Sequence, residues 1–309
     1  MAVQAEFAAA GHDAGPATIV HHLAQRLERR DRGITSVPSP GDEYPVMLRL
    51  PSLGGAQTAS PHVPADLATP SGGSRDGLPD PLEIARSFVE EARVGRDTAA
   101  ARAALAGLDP TALAAALPDD AARIAFWLNV YNGAVRARLL ADPGAYRWRS
   151  LFFTMPAVTV AGRRLSPNAI ENGLLRRSAF LAGLGYMRNP LPSPFERLLR
   201  VGRVDPRIHF ALNCGARSCP PLAAWESTSL DADLERATGA YLAAESARSA
   251  EGTVLMVPRL LRWYRGDFGG RAGILALLRR HGLIGQDETP RLGYGDYDWT
   301  LDLADAARG

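Results

Sequence analysis

The chain has 309 residues, 46% of them apolar, and a formal net charge of +2. That is enough apolar material for a sizeable core and too little charge bias to mark a nucleic-acid partner. All 35 basic residues are arginine, which excludes the lysine Schiff base of pyridoxal-phosphate enzymes and a P-loop with its phosphate-gripping lysine.

No apolar run approaches the roughly 18–20 residues that span a bilayer, and the N-terminus lacks the basic-then-apolar pattern of a secretory signal. The expectation is a cytoplasmic protein with neither a membrane nor a nucleic-acid partner, and no cofactor is implied. A small molecule or a peptide remains as the partner class.

Taken in chain order, residues 17–30 carry Ile19, Leu23 and Leu27 at helical spacing and predict a short amphipathic helix. Residues 31–80 turn to Pro, Gly, Ser, Ala and Thr with one strand-like run at 46–50, and read as an arm or linker ending near Asp80. One domain is expected over 81–309. Its first helices are predicted at 82–94 and 98–106, with a third opened by Asp109 and Pro110. The strongest lies at 119–140, where Ile124, Trp127, Leu128, Tyr131, Val135 and Leu139 step by three and four and align one apolar face.

Segments 154–160 and 163–165 flank Ala161 and Gly162 as a hairpin. Ser166 and Pro167 cap and open a helix through Arg176. Strands are predicted at 207–212, 254–257 and 294–301, and helices at 230–246 and 272–281, the last ended by Gly282. The fold class is α+β, predominantly helical, with a small mixed or antiparallel sheet.

Residues 207–222 carry the chemistry. If 207–213 is extended, Ile208, Phe210 and Leu212 share a core face, while Arg207, His209 and Asn213 line the other like the wall of a polar cleft. The same parity sends Cys214 to the core. Cys219 precedes Pro220 and Pro221, where a helix start would stabilise its thiolate. Ser218 is a weaker neighbour. Two cysteines five positions apart do not make a disulfide scaffold, so a structural staple is not expected. Either Cys219 is a nucleophile served by His209 as general base, or both cysteines are small buried hydrophobes; a zinc site lacks a fourth ligand at usual spacing.

Several blocks in register resemble the family catalogued as domain of unknown function 547. They are Phe126, Trp127, Asn129, Tyr131 and Asn132 on the long helix; Ser166, Pro167, Asn168 and Glu171 through Arg176; the 207–222 segment; Trp263, Tyr264, Asp267 and Phe268; and Tyr297, Trp299 and Leu301. The family pattern usually has histidine after the glutamate, and here that position is Asn172. The resemblance implies a fold neighbourhood and a set of residues rather than a reaction.

Asn129 and Asn132, three apart on the helix, either pin a loop or contact substrate. Glu171 either complements its helix dipole, or pairs with Arg207 or orients His209. Asp267 either caps the next helix or holds the imidazole. The leading expectation is a cysteine-dependent hydrolase or acyltransferase in which Cys219 attacks, His209 moves protons and Glu171 or Asp267 orients the ring. Asn129, Asn132 or backbone N–H groups would hold the oxyanion. The alternatives are a non-catalytic module binding a peptide or carboxylate through Arg207, His209 and Arg217, and a redox-sensing pair at Cys214 and Cys219.

Overall fold

Aspartate caps set where the first helices begin. A computed structural model describes residues 80–304; the helix expected at 17–30 and the run at 46–50 lie outside the described residues. Helix α1 (Pro81–Arg93) starts behind Asp80, whose carboxylate accepts from the N–H of Leu82 at 3.0 Å. Helix α2 (Ala99–Gly107) follows, then α3 (Pro110–Ala116) behind Asp109 and α4 (Asp120–Ala141) behind Asp119. In α1 and α3, proline at the start of the helix forgoes an N–H that would have no partner there.

Helix α4 differs from the expectation of a single apolar face. Every residue from Ile124 to Arg136 is buried, so the helix runs through the interior and its polar side chains must find partners there. It packs on α1 most closely at Gly133, where a Cβ would come within 2.7 Å of the Phe88 ring.

A 3₁₀ turn (Pro143–Trp148) leads into α5 (Arg149–Thr154), a helix where the sequence reading expected only a break and the start of a strand. Strands β1 (Val158–Val160) and β2 (Arg163–Leu165) form the expected antiparallel hairpin. Ala161 and Gly162 turn it with φ of 48° and 70°, the left-handed pair that a tight two-residue loop demands. Ser166 accepts from the N–H of Ala169 at 3.1 Å. The helix it caps then widens into a π-helix (Ala169–Leu175), in which Arg176 N–H reaches the Glu171 carbonyl.

The remainder comprises α6 (Pro194–Leu199), a 3₁₀ turn (Pro206–Phe210), α7 (Leu230–Glu245), β3 (Ala247–Arg248), β4 (Val254–Val257), α8 (Leu260–Trp263), α9 (Gly270–Arg280) and β5 (Arg291–Tyr294). Strand β3 is antiparallel and β5 parallel to β4. The architecture is therefore helical α+β with two small sheets, one antiparallel and one mixed. Among the described residues no helix is long and apolar enough to cross a membrane.

Two expected strands are corrected. The 207–212 segment is the 3₁₀ turn, and after β5 the chain runs irregularly, touching strand geometry again only in a single bridge between Leu301 and Ala216. The core has two apolar clusters. One surrounds α4, and the other joins α7, β4, α8, α9 and β5. The 3₁₀ turn joins them, since Ile208 belongs to the first and Phe210 to the second.

The Phe88–Gly133 contact gives a direct test of the α1–α4 packing. Gly133→Val is expected to lower stability by about 1–3 kcal/mol through overpacking against the Phe88 ring, read as a shift in the denaturation midpoint.

Candidate functional site

The turn that carries the imidazole is begun by Asp205 and Pro206. The Asp205 carboxylate accepts from Arg207 N–H at 2.9 Å, which with proline in the first position closes a 3₁₀ turn in place of a strand. The turn sends Arg207 and His209 apart. Arg207 lies among Asp205, Asp231 and Glu235 at 2.7, 2.7 and 3.2 Å, and the Asp205 hydrogen bond foremost raises its pKa further. It neither pairs with Glu171 nor lines the cleft, contrary to the sequence reading.

His209 turns inward, its side chain 1% exposed. Its ring stacks on Tyr264 with centroids 3.6 Å apart and planes 14° from parallel. Nε2 lies 3.0 Å from Asp267 Oδ2, whereas Nδ1 is buried without a hydrogen-bond partner. Asp267 does not cap α9; that helix begins at Gly269 with no side-chain cap. The carboxylate is fully buried instead and takes the Nε–H of Arg176 at 2.6 Å. Arg176, itself fully buried, also donates to Asn172 Oδ1 and lies over the Tyr264 ring at 4.8 Å.

Electrostatics fix the protonation of this chain of groups. Burial opposes charge on Asp267, but the Arg176 guanidinium and the His209 hydrogen bond overcome it and hold the carboxyl well below the usual carboxylate range. Burial pushes the His209 pKa down, against the opposing pull of Asp267. The ring is thus neutral at neutral pH. Beside an ionised carboxylate its one proton belongs on Nε2, and Nδ1 is a bare acceptor.

Unfolded His209 therefore binds a proton that the folded ring refuses. Its contribution to stability is complete above the unfolded imidazole value of about 6.5 and shrinks as pH falls below it. Thermal unfolding between pH 7 and pH 5 should show stability falling with pH, and His209→Gln should flatten that dependence.

The two sulfurs meet in the same place. Cys214 and Cys219 are joined as a disulfide with Cα atoms 6.2 Å apart, so the expectation of no bridge is corrected. The parity argument fails with the strand it assumed, because both cysteines are half-buried side by side. No helix starts at Pro220. The feature that distinguishes Cys219 is the N–H of Cys214, 2.9 Å from its Sγ. The Tyr297 hydroxyl lies 3.3 Å from Cys214 Sγ and 3.1 Å from Cys219 Sγ. Burial raises its pKa well above the ordinary phenol value, so it keeps its proton.

Asparagines hold the cysteine loop. Asn132 donates to Ala211 C=O at 3.0 Å and accepts from Asn213 N–H at 2.9 Å; Asn129 does the same to Trp225, at 2.8 and 2.9 Å. Asn213 in turn spans from Gly215 N–H to Pro220 C=O. These amides are engaged by backbone and do not point at an oxyanion. Asn132→Leu would leave one buried N–H and one buried C=O without partners, which costs about 2–4 kcal/mol. Faster amide exchange across 211–225 than in the parent would show the loop released.

His209, Glu171, Cys214, Cys219 and Tyr297 all line one cavity of about 80 Å³ between the two apolar clusters. The rest of its wall includes the aromatic rings of Tyr131, Phe153, Trp263, Tyr264 and Trp299, with Ser150 and Asn168 as polar members. Two expected binding residues lie elsewhere: Arg217 is 61% exposed and pairs with Asp298, and Ser218 accepts from Asp298 N–H. Tyr297, Tyr264 and Arg176 stood in the quoted motif blocks without a role. Their aromatic and basic character gives no local cue to contacts with residues 55–91 positions away.

Fold and cleft together define a helical α+β domain that gathers sulfur, imidazole and carboxylate around one aromatic hollow. Residues 116–242 match the family described as Protein of unknown function, DUF547, which agrees with the resemblance carried by the motif blocks. The match takes in Glu171, His209 and both cysteines; Tyr264, Asp267 and Tyr297 lie beyond it. Comparisons with curated proteins and with solved structures give no match.

Proposed function

We propose that the reduced protein is a thiol-dependent hydrolase or acyltransferase with Cys219 as nucleophile. The observation that carries this reading is that His209 and Cys219 line one cavity, with Nε2 of the ring held by Asp267 and Nδ1 left without a partner. The disulfide first takes two electrons and two protons from an external dithiol, which leaves as its own disulfide. Cys219 Sγ then forms a bond to a substrate carbonyl carbon, and its proton passes to Nδ1. The leaving amine or alcohol takes that proton as the acyl–heteroatom bond breaks. Water, or an acceptor nucleophile, then releases the acyl group and restores the thiol.

The Cys214 N–H and the protonated Tyr297 hydroxyl both favour a thiolate on Cys219. Asp267 acts by position, fixing which ring nitrogen is bare. A second reading, a thiol redox sensor, draws support from the Cys214–Cys219 pairing itself.

The test uses dithiol-reduced protein. Iodoacetamide is expected to label Cys219 at least about tenfold faster than Cys214, and a panel of activated esters and amides should include one that turns over. His209→Gln should slow that turnover by about a hundredfold or more, Asp267→Asn should slow it as well, and Cys219→Ala should abolish it. Equal, slow labelling of both cysteines and no turnover would leave the redox reading in its place.

A further inference from the structure

Glu171 takes no part in the proposed acyl transfer, since Asp267 alone holds the ring. Its side chain nevertheless belongs to a residue only 8% exposed, on the wall of the cavity. Among the described residues its carboxylate has neither a hydrogen bond nor an ion pair. A carboxyl group on a cavity wall with no partner inside the protein is free to take one from a cationic donor in the space beside it. The π-helix is what brings it there, with the Glu171 carbonyl accepting from Arg176 N–H five residues on.

A second unpartnered acceptor belongs to another residue of the same wall. His209 Nδ1 is buried, bare and without a donor. Around these two acceptors stand the rings of Trp263, Tyr297 and Trp299, whose faces attract positive charge. Among the described residues no arginine lines the cavity, and the Arg176 guanidinium is committed to Asp267. An anion would meet repulsion from Glu171 with no cationic side chain on the wall to offset it. A hard divalent ion would need several oxygens where one carboxylate is offered.

We propose that this cavity is a binding site for a compact alkylammonium group, with Glu171 as counter-ion, His209 Nδ1 as a second acceptor and the tryptophan and tyrosine rings as its walls. The volume of about 80 Å³ has room for the end of a small amine or of a lysine side chain. Binding needs no free thiol, so the disulfide-linked protein should bind as the reduced protein does. A protein that binds the cation without turning over esters would sink the acyl-transfer reading alone.

The experiment titrates the full-length chain with n-butylammonium, 1-butanol and butyrate, following tryptophan fluorescence and confirming heats by calorimetry. Butylammonium is expected to bind about tenfold or more tightly than 1-butanol, with butyrate weaker than either. Glu171→Gln should bring butylammonium to the level of the alcohol. Equal affinity for ammonium and alcohol on the unaltered protein, or preference for butyrate, overturns the proposal whether or not the variant folds. Nα-acetyl-lysine methylamide, run beside butylammonium, separates the sources. Tight binding of either supports the site, and failure of both overturns it.

Discussion

A carboxylate with no access to water governs the candidate site. Asp267 is ionised in a place where charge is expensive, and it can be so only because Arg176 and His209 close around it. Each of these partners carries its own requirement. Arg176, equally buried, needs the Asn172 amide and the Tyr264 ring as well as the carboxylate. His209 needs Tyr264 on its face and delivers its only proton to Asp267. The result is a fixed imidazole whose free nitrogen is Nδ1, set by the carboxylate and guanidinium behind it and the Tyr264 ring on its face.

Close backbone approach keeps the arrangement dry. At Gly185, with φ of 87°, a Cβ would fall within 2.5 Å of the Asp267 backbone nitrogen, and at Gly266 one would fall equally near the Gly185 carbonyl carbon. Gly266 N–H also bonds to the Leu184 carbonyl at 2.7 Å. The 177–189 loop is thus laid directly over the carboxylate. On the other side of the cavity, the two asparagines of α4 do the corresponding job for the cysteine loop, using hydrogen bonds where the first loop uses contact.

Much of the scaffold was legible because its cues are local. Asp80, Asp109 and Asp119 announce helices in the residues that follow them, and Ala161 with Gly162 announces a hairpin. The same cue stood at Asp205 and Pro206 but was outweighed by the alternation of Ile208, Phe210 and Leu212. That alternation arises because a tight turn distributes side chains between two cores, which imitates the two faces of a strand. His209, Cys219, Glu171 and Asp267 were all named from the sequence. Their connections were not: Arg176 reaches Asp267 across 91 positions and His209 reaches it across 58. A buried arginine looks like any of the others in a chain whose basic residues are all arginine.

The order of these parts along the chain has a consequence for how the protein comes into being. The imidazole and both sulfurs are laid down by residue 219, whereas the stacking ring, the orienting carboxylate and the phenol beside the sulfurs arrive only at residues 264, 267 and 297. During synthesis the cysteines are made before the ring, carboxylate and phenol that complete their surroundings. The contacts around the sulfurs and the imidazole are therefore complete only once residue 297 has been added.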